Sequence, residues 1–597
     1  PRALAAGPGR GVGVRRPRLV LLVLVAALLG LSGCAGIGGT SPVQPGLEVG
    51  GADAPRVRVF FPGPVNGATP ESIIRGFLRS GAASDGDYDT ARSFLTPDAA
   101  KSWVPDGEIL VFSTEADVAI HTVDDATTTV TVPALARISA DGRYAAAAPG
   151  DTVQATFRFA RIEGEWRIAQ LPDGFARWLA GADVGRLVQP YAVNYVAVDR
   201  RALIQDLRWF PLDHLTSRLA RAQLAPVPDA LAGVATTAVP AGTRLAAESV
   251  SVVDGVATVD LSVRPPADQA IRQNLWAQFV ATLTQDPSVV SVTLQVDGSA
   301  IEPPGASVPV SDPSQVGFAP IPLTTAAPLV RRGDRLWPLD TEAPISGQDP
   351  KSAAPARDDL PAIGAAWTSV AVSADVRDVA ALTRDGNNLA RWRGRDRYDV
   401  APFGTSLAPP TFDSRGYLWT AIGGRSDGNP VRVISLAEAP ATAAPREVSA
   451  DWLAGEAVQA VKVSPDGERV ALLVGTEGGA SRLLVAGVVR GAGAAPTSLA
   501  EPVELGAQVG RKQAVVWLSS TSVATLATAE GGVTRPVVLS LDGTSLSLPD
   551  TPAALSLTSA DNERGLVVLD SSGHVLVRAG QLWLSAGEGA EVLVPGR

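Results

Sequence analysis

Hydrophobic and polar positions divide the chain into stretches of different periodicity, and the first stretch is apolar without interruption. Residues 19–29 contain only apolar side chains and follow Arg15, Arg16 and Arg18. A run of eleven residues is too short to cross a hydrocarbon core of about 30 Å comfortably as a permanent helix. A basic segment followed by a short apolar run and small residues is typical of a secretory signal, so residues 1–33 are predicted to be a signal peptide.

The single cysteine of the chain, Cys34, directly follows this segment in the sequence Leu31-Ser32-Gly33-Cys34. The four residues resemble a bacterial lipobox, in which cleavage before the cysteine leaves a thiol that carries diacylglycerol. Durable anchoring needs two or more lipid chains, which such a modification supplies. We predict lipidation of Cys34, with a free cysteine or a single-pass helix as the alternatives. Residues 34–54 are rich in glycine and proline and are predicted to be a flexible tether.

Residues 55–180 combine helical periodicity with later strand alternation. A helix is predicted after Thr69-Pro70, with Ile73, Ile74, Phe77 and Leu78 on one face, and a second is expected to run from a capping Asp89 to Thr96-Pro97. Alternation then predicts strands over residues 130–138, 153–159 and 166–170. Helices that feed a curved antiparallel sheet indicate an α+β domain, similar to the NTF2-like, cystatin-like cone.

Residues 190–300 predict a second α+β domain with the order βαββαβ. The expected elements are strands over 192–198, 249–253, 256–261 and 289–296 and helices over 212–224 and 270–283. Asp254-Gly255 is a hairpin turn signal, and Ile271, Leu275, Phe279 and Leu283 recur at fours on one helix face. This order predicts one small sheet with two helices on one side. Residues 240–243, the hairpin and residues 258–262 resemble the GerMN domain of germination proteins and cell-envelope lipoproteins.

Residues 301–315 are predicted to be a proline-rich linker, and helical periodicity almost vanishes after them. Short apolar strands and Asp/Gly/Ser turns fill residues 316–597, and residues 370–382 align with residues 461–473 at an offset of 91. That offset is close to two repeats of a four-stranded propeller blade, about 40 to 45 residues each. The fold class predicted is therefore multidomain: two α+β domains followed by an all-β propeller of six to seven blades. A pair of β-sandwiches or a β-solenoid is the alternative.

Composition and charge exclude several classes of function. The formal charge is −10, and because residues 1–33 contain five arginines and no acid, the rest of the chain carries −15. So acidic a body repels phosphate backbones, which excludes a nucleic-acid partner. One cysteine and three scattered histidines supply no disulfide and no zinc site. Methionine is absent, so a translation start is expected upstream of Pro1.

Four motifs could carry chemistry, and each has a simpler interpretation. Gly424-Arg425-Ser426-Asp427-Gly428 matches a nucleophile elbow, but a second strand follows it where a helix is required. Asp85, Asp87 and Asp89 begin like a calcium loop that Thr90 and Thr96 cannot complete. The carboxylates predicted at turns or strand ends are Asp254, Asp260, Asp297 and Asp375, and His214 is expected on a helix surface. No catalytic residue, metal ligand or cofactor site is predicted.

The ordered set of segments resembles the LpqB family of actinobacterial lipoproteins. The local matches are the lipobox with Ser41-Pro42-Val43-Gln44 behind it, then residues 70–78 and 88–97. The resemblance implies a lipid anchor at Cys34 on the outer leaflet of the cytoplasmic membrane. It also implies an accessory role for the MtrAB two-component system, in which the protein contacts the extracytoplasmic region of the histidine kinase MtrB and modulates signalling to MtrA. A lipoprotein that binds peptidoglycan or its precursor is the alternative.

Overall fold

The computed structural model describes residues 61–596, except for 83–86, 266, 320–325, 348–354, 425–427, 476–480, 530–531, 552 and 561. The predicted signal peptide, the tether and Cys34 lie outside the described residues, as do Asp85 and Ser426. Three regions follow one another, which we call the N-terminal domain (residues 61–187), the middle domain (residues 188–318) and the C-terminal domain (residues 329–596).

The N-terminal domain packs short helices against one curved sheet. Its elements are α1 Pro70–Ser80, α2 Asp89–Arg92, α3 Pro97–Ser102, β1 Ile109–Phe112, β2 Ala119–Asp124, β3 Thr127–Ile138, β4 Tyr144–Ala146, β5 Thr152–Ile162, β6 Glu165–Gln170 and β7 Arg177–Ala180. The sheet order is β6-β5-β3-β1-β7, with β2 and β4 also paired to β3. Thr69 caps α1, whose apolar face is buried as predicted. Alternate residues of β3, including Val130 and Val132, are fully buried.

The second predicted helix is shorter than expected. It covers only Asp89–Arg92, and the residue before it, Tyr88, has a left-handed backbone with φ 58° and no side-chain cap. The prediction that Asp89 caps this helix is therefore wrong. Thr96 was predicted to end this helix, but it caps the next one. Its side chain accepts a hydrogen bond from the Ala99 amide, directly before the start of α3.

The middle domain contains two sheets, which corrects the prediction of one. Its elements are β8 Val188–Ala197, β9 Leu203–Pro211, α4 Leu215–Gln223, β10 Ala235–Thr236, β11 Ser251–Val253, β12 Val256–Leu261, α5 Gln269–Leu283, β13 Ser291–Val296 and β14 Ser299–Ala300. The sheet orders are β10-β8-β9 and β11-β12-β13-β14. The predicted Asp254-Gly255 hairpin is confirmed, with φ of 50° and 76° at the two turn residues.

Helix α5 lies inside this domain and is covered on most sides. Leu275, Phe279 and Leu283 are fully buried, as are Trp276 and Gln278 on other faces, whereas Ile271 is 36% exposed. Three of the four residues predicted on one face are therefore in the core, whereas Ile271 in the first turn is not. Residues 301–315 pack against the same core, with Ile301 and Val310 buried in it.

The C-terminal domain consists of six consecutive sheets within its described residues. The first joins β15 Leu329–Arg332 and β16 Arg335–Pro338 to the last strand, β38 Glu591–Leu593. The second sheet contains β17 Trp367–Val372, β18 Asp378–Thr383, β19 Leu389–Arg393 and β20 Asp396–Asp399, and the third contains β21 Thr411–Phe412, β22 Tyr417–Ala421, β23 Val431–Ser435 and β24 Arg446–Glu447. The fourth sheet contains β25 Val458–Val463, β26 Arg469–Gly475, β27 Ser481–Arg490, β28 Pro496–Leu499 and β29 Val503–Leu505. The fifth contains β30 Arg511–Trp517, β31 Ser522–Thr528, β32 Thr534–Ser540 and β33 Ser545–Ser547, and the sixth contains β34 Ala554–Ser559, β35 Leu566–Asp570, β36 His574–Ala579 and β37 Leu582–Glu588.

The predicted repeat is confirmed at atomic detail, because the two aligned segments form the first hairpins of the second and fourth sheets. In each, a serine hydroxyl contacts an aspartate carboxylate two residues later, with Oγ to Oδ1 distances of 2.6 Å for Ser373–Asp375 and 2.5 Å for Ser464–Asp466. The same serine oxygens accept a hydrogen bond from the amide five residues on. The offset of 91 residues is therefore the distance between equivalent turns two sheets apart.

Pairing between the ends of the C-terminal domain closes the series of sheets. Strand β38 is antiparallel to β15, with Val592 opposite Val330. Ring closure of this kind leaves few unpaired strand edges. The fold class predicted from the sequence, two α+β domains followed by an all-β propeller domain, is confirmed.

Candidate functional site

One end of the C-terminal sheets is covered by the middle domain. Successive strands of each sheet are antiparallel, so the loops between first and second strands lie at the same end as those between third and fourth strands. Arg200 of the middle domain donates from Nε to Glu468 Oε1 at 2.8 Å, and Asp199 pairs with Arg415. Trp209 Nε1 donates to the Asp542 carbonyl at 2.9 Å. We call this contact region the junction.

Charges are buried at the junction, which makes their pairing important. The side chain of Glu468 is 2% exposed, and burial raises its pKa against the opposing effect of Arg200. Arg469, the next residue, is also buried; burial lowers its pKa, and its guanidinium donates to the Gln205 carbonyl of the middle domain. Because an unpaired buried charge is costly, these contacts hold the two domains in one arrangement.

Two glycines allow close approach where the N-terminal domain meets its neighbours. Gly142 has φ 86°, and a Cβ atom there would lie 2.7 Å from the Trp209 carbonyl oxygen. Its own carbonyl accepts a hydrogen bond from the Trp209 amide at 2.8 Å. Gly543 of the C-terminal domain has φ 92°, and its Cβ would lie 2.7 Å from the Tyr144 carbonyl oxygen. Only glycine combines this backbone conformation with such proximity.

A cleft of about 370 Å³ lies between the N-terminal and middle domains, next to the contact of Gly142 with Trp209. Four arginines line it: Arg177 from the N-terminal domain and Arg208, Arg218 and Arg221 from the middle domain. Apolar side chains, among them Ile109, Ile138 and Phe210, form much of the remaining wall. Sequence reasoning did not identify these arginines, because they come from three elements that no spacing rule connects.

The carboxylates predicted at turns do not form one site. Asp254 lies in the turn between β11 and β12, whereas Asp260 lies near the end of β12 and Asp297 directly follows β13. Asp260 Oδ2 accepts a hydrogen bond at 3.1 Å from the amide of Gly298, which lies in the turn after the neighbouring strand β13. Asp375 belongs to the C-terminal domain and accepts from Ser373. Asp260 and Asp297 thus lie close together, whereas Asp254 and Asp375 lie elsewhere, and each position agrees with the interpretation of these residues as belonging to turns or strand ends.

The histidines and the remaining acidic residues do not form one site either. His214 is exposed and precedes α4 with φ 50°. His574 Nδ1 lies 3.1 Å from Asp570 Oδ2. Burial acts to raise the pKa of Asp570, but hydrogen bonds from His574 and Ser572 outweigh it and lower this pKa. Asp87 pairs with Arg92 at 2.9 Å. Within the described ranges, no three His, Cys, Asp or Glu side chains are grouped closely enough to hold a metal ion.

A buried pair that sequence reasoning missed supports the contact between the N-terminal and middle domains and lies beside the cleft. In β9, Asp206 and Arg208 point inward beside Ile204 and are 8% and 5% exposed. Asp206 accepts from Arg208 Nε at 2.8 Å and from Arg143 of the N-terminal domain at 2.6 and 2.9 Å. Ile204, Asp206 and Arg208 alternate as the inward side chains of this strand. The alternation did not predict a strand, because two of the three residues are charged.

No helix in the described part of the chain combines the length and the apolar character needed to span a membrane. The sequence prediction of a lipid anchor concerns Cys34, which lies outside that part.

Comparison with known proteins gives three family matches. The model described as "Lipoprotein LpqB, N-terminal domain" matches residues 63–184, and that described as "Lipoprotein LpqB beta-propeller domain" matches residues 346–595. The Germane model, described as "Sporulation and spore germination", matches residues 191–302. None of the three descriptions names an enzyme.

Curated relatives are similar over nearly their whole length. A protein named Lipoprotein LpqB from Thermobifida fusca is 28% identical and covers 95% of this chain and 97% of its own. Another of that name from Streptomyces coelicolor is 28% identical, covering 99% of this chain and 100% of its own. Among solved structures, Kuenenia stuttgartiensis hydrazine synthase is 11% identical, with a TM-score of 0.29 over 43% of this chain and 78% of that one, which is too low to support an argument.

Proposed function

Because the chain belongs to the LpqB lipoprotein family, we propose that it is anchored by lipid on the outer face of the cytoplasmic membrane and serves the MtrAB two-component system. In this role it contacts the extracytoplasmic part of the sensor kinase MtrB and modulates signalling linked to the cell envelope and division. It acts by binding and catalyses no reaction.

Anchoring is supported by the sequence around Cys34 and by the relatives' names. The lipobox-like residues follow a basic and apolar segment, and the full-length relatives are named lipoproteins. Two acyl chains hold a protein on a bilayer far more firmly than one. The tether would place the N-terminal domain a short distance from the membrane surface.

The junction is the observation that carries the binding role. Paired charges, with Glu468 only 2% exposed, fix the C-terminal domain against the middle domain, so a partner bound at the C-terminal domain is held at a defined position relative to the middle domain. The loops between second and third strands lie at the opposite end of the sheets and include Asp385 and Ser572, both exposed. We assign the kinase contact to this free end.

Fractionation tests the anchor. With Cys34→Ser, the protein is expected to leave the membrane fraction, whereas Ser41→Ala in the tether is expected to stay there. Mass spectrometry of the parent protein should find Cys34 acylated at a new N-terminus. An unmodified Cys34, or a Cys34→Ser variant that remains firmly in the membrane fraction, contradicts lipid anchoring.

Crosslinking in cells tests the partner. A photo-crosslinking amino acid at Asp385 or Ser572 is expected to capture the kinase, whereas one at Asp375, at the junction end, provides the matched control. Binding of the detergent-purified protein to purified cell wall is measured in parallel. If the wall binds the protein and neither position captures a kinase, the signalling role is wrong and the wall-binding alternative is supported.

A further inference from the structure

The cleft between the N-terminal and middle domains contains positive charge that the protein does not fully neutralise. Two of its arginines are paired. Arg208 donates to Asp206 at 2.8 Å, and Arg218 Nη2 lies 3.0 Å from both Asp106 and Asp213.

Arg177 differs from these two, because it forms no ion pair with any described residue. Arg177 is only 7% exposed. The Nε atom donates to the Pro105 carbonyl at 2.8 Å, and the guanidinium carbon lies 5.1 Å from the centre of the Tyr88 ring. Burial raises the pKa of Tyr88 above its usual range, so its hydroxyl stays neutral and supplies no counter-charge.

Arg221, at the rim of the same cleft, is exposed, and its guanidinium contacts only the Glu248 carbonyl oxygen among described groups. The two acidic residues of the lining already have partners, since Asp106 pairs with Arg218 and Asp141 lies 3.7 Å from Arg143. The terminal nitrogens of Arg177 and one side of Arg221 are therefore the cationic donors left for a ligand.

We propose that this cleft binds a small amphipathic anion, with a carboxylate or phosphate group on Arg177 and Arg221 and an apolar body against the wall formed by Ile109, Ile138 and Phe210. A buried guanidinium without a carboxylate is unfavourable, and an anion that takes this place gains charge-assisted hydrogen bonds in a partly dry site. A volume of about 370 Å³ is in the range of small-molecule sites. The site lies away from the free propeller end, so it does not depend on the proposed kinase contact.

Calorimetric titration of the full chain in nanodiscs of zwitterionic lipid tests this proposal. The probes are 3-phenylpropionate and phenyl phosphate, with neutral 3-phenylpropanamide as the uncharged match and empty nanodiscs as the blank. At least one anion is expected to bind about ten-fold or more tightly than the amide, as charged hydrogen bonds require. The anion that binds more tightly identifies the preferred head group.

Substitutions assign the binding to the cleft. Arg177→Gln is expected to weaken anion binding by about ten-fold or more and Arg221→Ala by several-fold, whereas Arg244→Ala, an exposed arginine outside the cleft, should leave it unchanged. Thermal unfolding establishes that each variant is folded, and Arg221→Ala decides the question if Arg177→Gln is not. The proposal is overturned if neither anion binds at millimolar concentration, if the amide binds as tightly, or if folded cleft variants bind like the parent.

Discussion

Replacing Arg331 with leucine should open the contact that closes the C-terminal domain. Arg331 lies in β15, and its side chain is 5% exposed. Its Nη1 atom lies 3.0 Å from Glu591 Oε1 on β38, the strand that joins the end of the chain to the first sheet. The guanidinium also donates to the carbonyl oxygens of Gly333, Ile363, Gly364 and Trp367 at 2.7 to 3.2 Å.

The expected loss follows from what remains after the substitution. Removing one partner of a buried ion pair costs about 3–5 kcal/mol, because the other charge is left uncompensated. Glu591 is 17% exposed and keeps hydrogen bonds from the Thr368 hydroxyl and the Val370 amide. We therefore expect the lower end of the range, about 3 kcal/mol, which corresponds to a fall in Tm of about 6–12 °C for a domain of this size.

Thermal unfolding of the full chain, followed by tryptophan fluorescence, measures the loss of stability. Hydrogen exchange locates it, and peptides that contain β15 and β38 are expected to lose protection before those of the N-terminal domain. Arg335→Leu is the matched control, because Arg335 lies in the same hairpin but its pair with Asp358 is exposed by 51% and 82%. Exposed pairs of this kind contribute about 0–1 kcal/mol.

A second substitution separates the charge from the packing. In Arg331→Leu combined with Glu591→Leu, no unpaired charge remains, so part of the lost stability should return. If Arg331→Leu differs from Arg335→Leu by less than about 1 kcal/mol, the pair does not hold the ends together, and the reasoning from burial is wrong.

Three further predictions concern the two contacts of the middle domain with its neighbours and a half-buried lysine. Gly142→Ala should lower the free energy of unfolding by about 1–3 kcal/mol, as measured by thermal unfolding. Gly150 has the same φ of 86°, but a Cβ atom there would have no neighbour within 4 Å, so Gly150→Ala should show only the smaller cost of the backbone conformation. Equal losses for the two variants would contradict a role for the close approach. Arg200→Met should leave Glu468 without its nearest partner and speed hydrogen exchange at residues 466–468, and unchanged exchange relative to Arg264→Met would show that the ion pair does not hold the junction. Burial lowers the pKa of Lys462 from 10.5 to about 8. Between pH 8 and 10.5 the unfolded chain therefore binds more protons than the folded chain, so the free energy of unfolding should rise with pH in this range. Lys462→Met should abolish this rise, whereas Lys101→Met, at an exposed lysine, should not.

Local sequence signals predicted those elements that depend on local interactions. Helix α1 has a threonine cap, a first-turn proline and one apolar face, and all three are present in the structure. The Asp254-Gly255 hairpin formed where a two-residue turn with positive φ was required. The repeated Ser-x-Asp turns were recognisable because each binds its own backbone, independently of the rest of the fold.

Elements that depend on distant residues were missed or misplaced. Strand β9 escaped prediction because Asp206 and Arg208 occupy inward positions, where apolar residues were expected. The second N-terminal helix was predicted too long because Tyr88, Phe94 and Leu95 are buried in the core without continuing the helical backbone. Helix α5 has buried residues on several faces, so the apolar residues at intervals of four identified only part of its buried surface.

Charged residues at inward positions of strands share one physical requirement. A charge that points into a core must find a partner, and in the following cases one partner comes from a distant part of the chain. Asp206 therefore meets Arg143 of another domain, Arg469 meets the carbonyl of Gln205, and Arg331 meets Glu591 at the far end of its domain. In these three cases the inward charged residue lies where separate parts of this chain join, although spacing in the sequence cannot identify the partner.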